Sequence, residues 1–125
     1  MKLHLARSDG RNRFTGYGPG YVTVNEVRHE RSLVVLPDRV LEWVPASFDD
    51  LTQLVFARLA ELPVEILILG TGTRLRFPHP SRTQALADAR IGLEVMDTHA
   101  ACRTYNILLA EDRRVGAALL LDTAG

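Results

Sequence analysis

Hydrophobic and polar residues alternate along the first third of the chain, and this period of two predicts β-strands. Two prolines, Pro37 and Pro45, end apolar runs in this part, as expected where a chain leaves a sheet. The predicted strands are residues 3–5, 21–27, 33–36 and 40–43, and polar or Gly/Pro-rich turns are predicted at residues 7–13 and 17–20.

The hydrophobic period changes at residue 47 and becomes helical. Ser47 is a good N-cap, and Asp49 and Asp50 place negative charge in the first turn, where it complements the helix dipole. Apolar residues then recur at helical spacing, which predicts an amphipathic helix over residues 48–61, ended by Pro63.

A nearly continuous apolar run at residues 65–69 follows, as expected for a strand covered on both faces. Beyond it, Ser81 is predicted to cap a second helix, and Asp97 or Thr98 is predicted to cap a third. The remaining predicted elements are a helix at residues 82–89, a strand at 93–96, a helix ending near Glu111, and a strand at 115–121.

This alternation of strands and helices after residue 47 predicts βαβ units with right-handed crossovers. The β-rich first third should add antiparallel strands, so the predicted fold is α/β with a mixed sheet. At 125 residues, with no repeat or linker, the chain is expected to form one domain over residues 1–125.

Composition predicts the cellular compartment of the protein and argues against some classes of partner. Fifteen basic and fifteen acidic residues balance, which argues against a nucleic-acid or anionic-membrane surface. Cys102 is the single cysteine, so a reducing, intracellular compartment is expected. Residues 1–13 lack the apolar core of a signal peptide, and no apolar stretch approaches the length of a membrane span. The predicted location is cytoplasmic, without membrane insertion.

The leading candidate site is the Gly70-Thr71-Gly72-Thr73 loop that follows the buried strand. Glycines let the backbone approach a ligand closely, and ligands of open α/β sheets bind outside the carboxyl ends of strands. The alternative is a plain tight turn. No third glycine, no Gly-Lys-Ser/Thr and no immediate helix follows, as a nucleotide-binding loop would require.

Thr98 and Asn106 could line a polar pocket beside this loop if the third helix begins there. His99, at the same helix start, could act as a general base. The alternative is structural: Thr98 caps the helix and His99 is solvated. Arg74, Arg76 and Arg82 could form an anion-binding rim, or only a solvated face.

No other group suggests chemistry. Cys102 is expected to be a buried, inert thiol, and no paired nucleophile is recognisable, so no catalytic residue is predicted. The histidines share no ligand spacing, so neither a metal nor another cofactor is predicted.

Taken together, these segments resemble a family of small domains of unknown function. The family includes archaeal and bacterial proteins, a mitochondrial assembly factor for respiratory complex I, and an adipogenesis-associated Mth-domain protein. The matching stretches are FTGYG at 14–18, SLVVLP at 32–37, EILILGTG at 65–72, GLEVMDT at 92–98 and TYNIL at 104–108, with Val40, Trp43 and Ala101. The resemblance implies a three-layer fold with a mixed central sheet and an additional N-terminal antiparallel β layer.

The resemblance also implies no established enzyme activity and a role in assembly or regulation through protein contacts. This gives two functional hypotheses. One is a non-enzymatic protein-binding or assembly-type module, monomeric or weakly self-associating and linked to respiratory-complex biogenesis. The other is a small-molecule-binding protein or enzyme whose pocket is formed by Gly70, Thr71, Gly72, Thr73, Thr98 and Asn106.

Overall fold

A computed structural model describes residues 9–121, and its first layer is a small antiparallel sheet. Three strands form it in the order β1-β2-β3: Phe14–Gly18 (β1), Tyr21–Val24 (β2) and Val27–His29 (β3). The prediction of one strand over residues 21–27 is wrong, because Asn25 and Glu26 both adopt positive φ, 48° and 71°. Two such residues make the turn that matches the twist of a hairpin.

Strand β1 was not predicted from the sequence pattern. Its residues include Gly16 and Gly18, which are unfavourable in strands, yet the strand is wholly buried. Asn25 supports it by accepting a hydrogen bond from the Arg13 amide at 3.0 Å. Thr15 supports it through a 2.8 Å hydroxyl contact with Thr23 on β2. The strand predicted at residues 3–5 lies outside the described residues.

Within residues 9–121, the central sheet has five strands in the order β5-β4-β8-β6-β7. Its strands are Leu33–Leu36 (β4), Arg39–Glu42 (β5), Ile66–Gly70 (β6), Gly92–Met96 (β7) and Val115–Leu119 (β8). Strand β6 is parallel to both β7 and β8, whereas β4 is antiparallel to both β5 and β8. The predicted mixed sheet is therefore confirmed.

Three α-helices connect these strands, and two of them are shorter than predicted. They are Gln53–Leu59 (α1), Gln84–Asp88 (α2) and Thr98–Ala110 (α3). The predicted helix over residues 48–61 is divided, because Asp50 Oδ2 accepts from the Ala46 and Ser47 amides and closes a separate 3-10 turn. Thr52, in an extended conformation, then caps α1.

The predicted Ser81 cap is also wrong. His79 Nδ1 accepts the Ser81 amide at 3.1 Å and starts a 3-10 turn, and Thr83 precedes α2. The prediction for α3 is confirmed, with Asp97 as the cap: its Oδ1 accepts the Ala100 amide at 2.9 Å.

Helices cover both faces of the central sheet, and the small sheet lies beside α3 on one of them. On one face, α1 and α2 pack on alternate residues such as Val34, Leu67 and Ala118. On the other face, α3 and the small sheet pack on Val35 and Ile68. The three-layer arrangement with an additional N-terminal β layer is therefore confirmed. It brings the carboxyl ends of β6, β7 and β8 together at one edge.

Candidate functional site

The loop after β6 depends on two glycines. A Cβ atom on Gly70 would lie 2.8 Å from the Leu119 side chain and 2.9 Å from Thr98 Oγ1, so only glycine lets α3 begin this close to the sheet. Gly72 has φ +93°, a conformation that residues with a Cβ rarely adopt. Both glycines thus have a structural explanation before any ligand is considered.

Thr98 fastens this loop to the neighbouring strand. Its hydroxyl donates to the Leu120 carbonyl oxygen at 2.7 Å and accepts the Gly72 amide at 2.9 Å. The Thr98 amide donates to the Gly72 carbonyl oxygen at 2.9 Å. Because the side chain is buried, its hydroxyl acts as a clamp inside the fold.

Thr71 makes a second set of bonds within the loop. Its amide donates to Met96 O, its hydroxyl donates to Arg74 O at 2.6 Å, and the same hydroxyl accepts the Arg76 amide at 3.2 Å. Thr73, in contrast, is exposed. Of the two predicted threonines in this loop, Thr73 therefore has the side chain that a ligand could contact.

A small cleft of about 120 Å³ lies beside this loop. Ligand pockets usually enclose about 300–1,000 Å³, so this cleft is too small for a nucleotide. The loop contributes Gly72 and Thr73, α3 contributes Thr98 and His99, and the β1–β2 turn contributes Gly18 and Gly20. The structure therefore brings together the predicted loop, the predicted helix start and the Gly/Pro-rich turn between β1 and β2.

His99 is held against the β1–β2 turn and is not simply solvated. Its Nε2 lies 3.1 Å from the Gly18 carbonyl oxygen, and its ring stacks on Tyr17 with centroids 4.2 Å apart. Since a carbonyl oxygen only accepts, Nε2 is the donor in this contact. Arg103 Nη1 contacts the Tyr17 hydroxyl at 2.5 Å, which completes a stacked cluster.

Asn106 lies away from the cleft. It comes eight residues after Thr98, about 12 Å along the helix axis. Its Oδ1 accepts the Phe14 amide at 3.0 Å and its Nδ2 donates to the Phe14 carbonyl oxygen at 2.8 Å. The Asn106 side chain thus makes the paired amide and carbonyl hydrogen bonds to β1 that a neighbouring strand would make. Asn106 and the glycine loop therefore do not form one pocket.

Other candidate groups are engaged within the fold. Burial raises the pKa of the Cys102 thiol to about 12, so the thiolate nucleophile is disfavoured. Arg76 stacks over the Phe48 ring at 4.4 Å, and Arg82 donates to the Leu51 carbonyl oxygen at 3.2 Å. Both guanidinium groups thus contact other parts of the fold, and the anion-binding rim with Arg74 stays a prediction.

A larger groove of about 1,000 Å³ lies elsewhere, between residues 28–33 and residues 40–46. The sequence pattern gave no sign of it, because it forms where the edge strands of two different sheets approach. Among residues 9–121, no group of three His, Cys, Asp or Glu side chains is placed to hold a metal ion. No helix in the same range has both the length and the apolar character needed to span a bilayer.

Comparisons with known proteins agree with this architecture. The chain is 39% identical over 89 residues to a mouse protein named NADH dehydrogenase [ubiquinone] 1 alpha subcomplex assembly factor 3. That match covers 70% of this chain and 48% of the mouse protein, so the chain spans about half the length of this relative.

Solved bacterial structures match more completely. A Bordetella parapertussis crystal structure has a TM-score of 0.85 and 39% identity, covering 93% of this chain and all of that one. A Bordetella pertussis solution structure described as a Mth938-like domain has a TM-score of 0.81 and 37% identity, covering 98% and 93%. The family model that matches residues 14–120 carries the description "Protein of unknown function (DUF498/DUF598)", and the chain belongs to that family.

Proposed function

We propose that this protein is a non-enzymatic, assembly-type module that binds a protein partner in the cytoplasm and serves respiratory-complex biogenesis. The similarity to the complex I assembly factor carries the proposal, since it extends over 70% of this chain. We infer that such a role is carried by a surface that recognises other proteins.

The candidate site is consistent with a binding role. The Thr71 and Thr98 hydroxyls hold the backbone, and the Cys102 thiol is buried. His99 Nε2 is engaged by a main-chain oxygen. Because these polar groups stabilise the fold, we infer that they have a structural role and not a catalytic one.

The segment after the glycine loop offers a contact surface. Leu75 and Phe77 are 52% and 69% exposed, and the Thr71 hydroxyl fixes the segment's start by donating to the Arg74 carbonyl oxygen and accepting the Arg76 amide. Aromatic side chains are enriched at protein interfaces, and a pre-ordered segment loses little entropy on binding. We place the partner's contact on Leu75 and Phe77.

Affinity purification of the tagged full chain from its own cells tests this proposal. We expect NADH dehydrogenase subunits or assembly intermediates to be retained, and Phe77→Ser to release most of them. Leu54→Ser is the matched control, because Leu54 is 62% exposed but lies on α1. Recovery of no respiratory-complex component with the unmodified chain would overturn the assembly role. Equal recovery with Phe77→Ser would overturn the placement of the contact.

A second candidate function rests on the convergence of Thr73, His99, Gly18 and Gly20 on the small cleft. A cleft of this size fits a small anion or metabolite fragment better than a nucleotide. Thermal-shift measurements with small anions should then show stabilisation that Thr73→Val reduces. Gly72→Val is unsuitable for this test, because the positive φ of Gly72 would strain any variant.

A further inference from the structure

Strand β5 is an edge of the central sheet, and one side of its backbone is unpaired among the described residues. The Trp43 amide donates to the Ser32 carbonyl oxygen at 3.2 Å, so the backbone of Trp43 faces β4. Orientation alternates along an antiparallel strand, so Arg39 and Leu41 also face β4. The amide and carbonyl groups of Val40 and Glu42 therefore point away from the sheet.

The groove of about 1,000 Å³ is lined by residues 40–42 of β5 and by the segment that follows it. Residues 28–31, which include the end of edge strand β3, also line it. Val44 is 98% exposed at its rim, and Trp43 lines it while packing partly into the core. Nothing within residues 9–121 pairs with this edge, and apolar side chains border it, an arrangement that favours the addition of another strand.

The charged residues along β5 restrict the register in which a second copy can pair with this edge. Hydrogen bonds form only where outward-facing residues oppose each other, so a symmetric antiparallel pair can be centred on any of the four residues of β5. Centring on Arg39 opposes two arginines, centring on Val40 opposes Glu42 to Asp38, and centring on Glu42 opposes two glutamates. Like charges directly opposite each other are destabilising. Within β5, only the pairing centred on Leu41 avoids them.

The Leu41-centred pairing also places complementary groups together. Arg39 lies opposite Trp43 of the second copy, a cation–π pair that the symmetry produces twice. Val40 lies opposite Glu42, and each of these two pairs exchanges two main-chain hydrogen bonds. The two Glu42 side chains are diagonal neighbours. Arg31 lines the same groove, makes no ion pair among the described residues, and can balance them.

We propose that β5 is a self-association edge, where a second copy of this chain pairs antiparallel across a two-fold axis at Leu41. The pairing joins two five-stranded sheets into one continuous sheet. Pro37 and Pro45, which lie just outside the paired segment, limit its length.

Engineered cysteines test the register, since the native Cys102 is buried. The two Leu41 residues would form a non-hydrogen-bonded pair with Cα atoms about 4.5 Å apart, within the range of a disulfide. The two Val40 residues would be diagonal, about 7–8 Å apart and beyond that range. In a glutathione redox buffer, we expect Leu41→Cys to give covalent dimers rapidly and Val40→Cys, the matched control, to give few.

Sedimentation equilibrium of the unmodified full chain gives an independent test that needs no core substitution. We expect a concentration-dependent monomer–dimer equilibrium, weakened about tenfold by Arg39→Glu because two cation–π contacts are lost. Arg58→Glu, an exposed charge reversal on α1, should leave it unchanged. A monomer at all concentrations, or equal cross-linking of the two cysteine variants, would overturn the proposal and leave the edge to another protein.

Discussion

At the scale of single residues, Thr98 shows how a polar side chain in a promising position can be fully used by the fold. Its hydroxyl joins the Gly72 amide to the Leu120 carbonyl oxygen. The loop after β6 is thereby bound to the end of the neighbouring strand. Because this buried hydroxyl donates one hydrogen bond and accepts another, it holds the loop in one conformation.

Replacing Thr98 with valine should therefore destabilise the protein. Valine keeps the branched shape but leaves the buried Gly72 amide and Leu120 carbonyl oxygen without this partner. We expect the free energy of unfolding to fall by about 1–3 kcal/mol, measured by urea denaturation. Thr98→Ser keeps the hydroxyl and should recover most of the loss. A valine variant as stable as the original chain would show that the loop does not depend on this clamp.

Part of this site could be predicted from the sequence, because glycines after a buried strand mark a strand's carboxyl end. The contacts of individual side chains could not. Thr98 and Asn106 occupy the same helix, and only the position of β1 decides that Asn106 bonds Phe14 rather than the loop. His99 similarly meets Gly18 from a segment 81 residues earlier. Such pairings depend on tertiary structure, which local periodicity does not encode.

At the scale of elements, α3 holds the N-terminal layer to the central sheet. Asn106 pairs with β1, and Arg11 donates to the Leu109 carbonyl oxygen at 3.0 Å near the end of the helix. Asp9 binds both Arg11 and Arg13, at 2.8 Å to each guanidinium. This small network fixes the chain just before β1 begins.

The Asp9 network predicts a defined pH dependence. Hydrogen bonds from Arg13 and then Arg11 hold the pKa of the Asp9 carboxyl well below its ordinary value of 3.8. The ionised carboxylate therefore stabilises the folded state above about pH 4, and this contribution is lost as the pH falls further. We expect the melting temperature of Asp9→Asn to lie below that of the original chain at neutral pH, with the difference shrinking below pH 4. A difference that stays constant through acid would contradict this assignment.

Element boundaries were predicted less well than element types, for an identifiable reason. The period of residues 48–61 is helical, but Asp50 bonds back to the preceding amides and ends the first turn. Likewise, residues 21–27 alternate as a strand although Asn25 and Glu26 reverse the chain. In both cases a side chain or a positive φ overrides a hydrophobic pattern that continues through the break.

At the scale of the whole molecule, the two sheets differ in how far their strands are buried and hydrogen-bonded on both sides. Strand β6 is hydrogen-bonded on both sides, and Leu67, Ile68 and Leu69 are fully buried between two layers. Strand β3 has three residues, lies at an edge, and exposes Val27. Protection from exchange follows burial and pairing, so β6 at the centre of the larger sheet should open only with global unfolding and the small sheet more readily.

Native-state hydrogen exchange followed by NMR measures this difference directly. We expect the amides of Leu67, Ile68 and Leu69 to exchange with a free energy close to that of global unfolding, and the β3 amides with a smaller one. Asn106→Ala should lower protection in β1 and β2 further, because Phe14 loses both bonds to α3, while a smaller change is expected in β6. Equal loss of protection in both sheets would mean that they unfold as one unit. In that case α3 would couple the two layers so tightly that the N-terminal sheet is an integral part of the core.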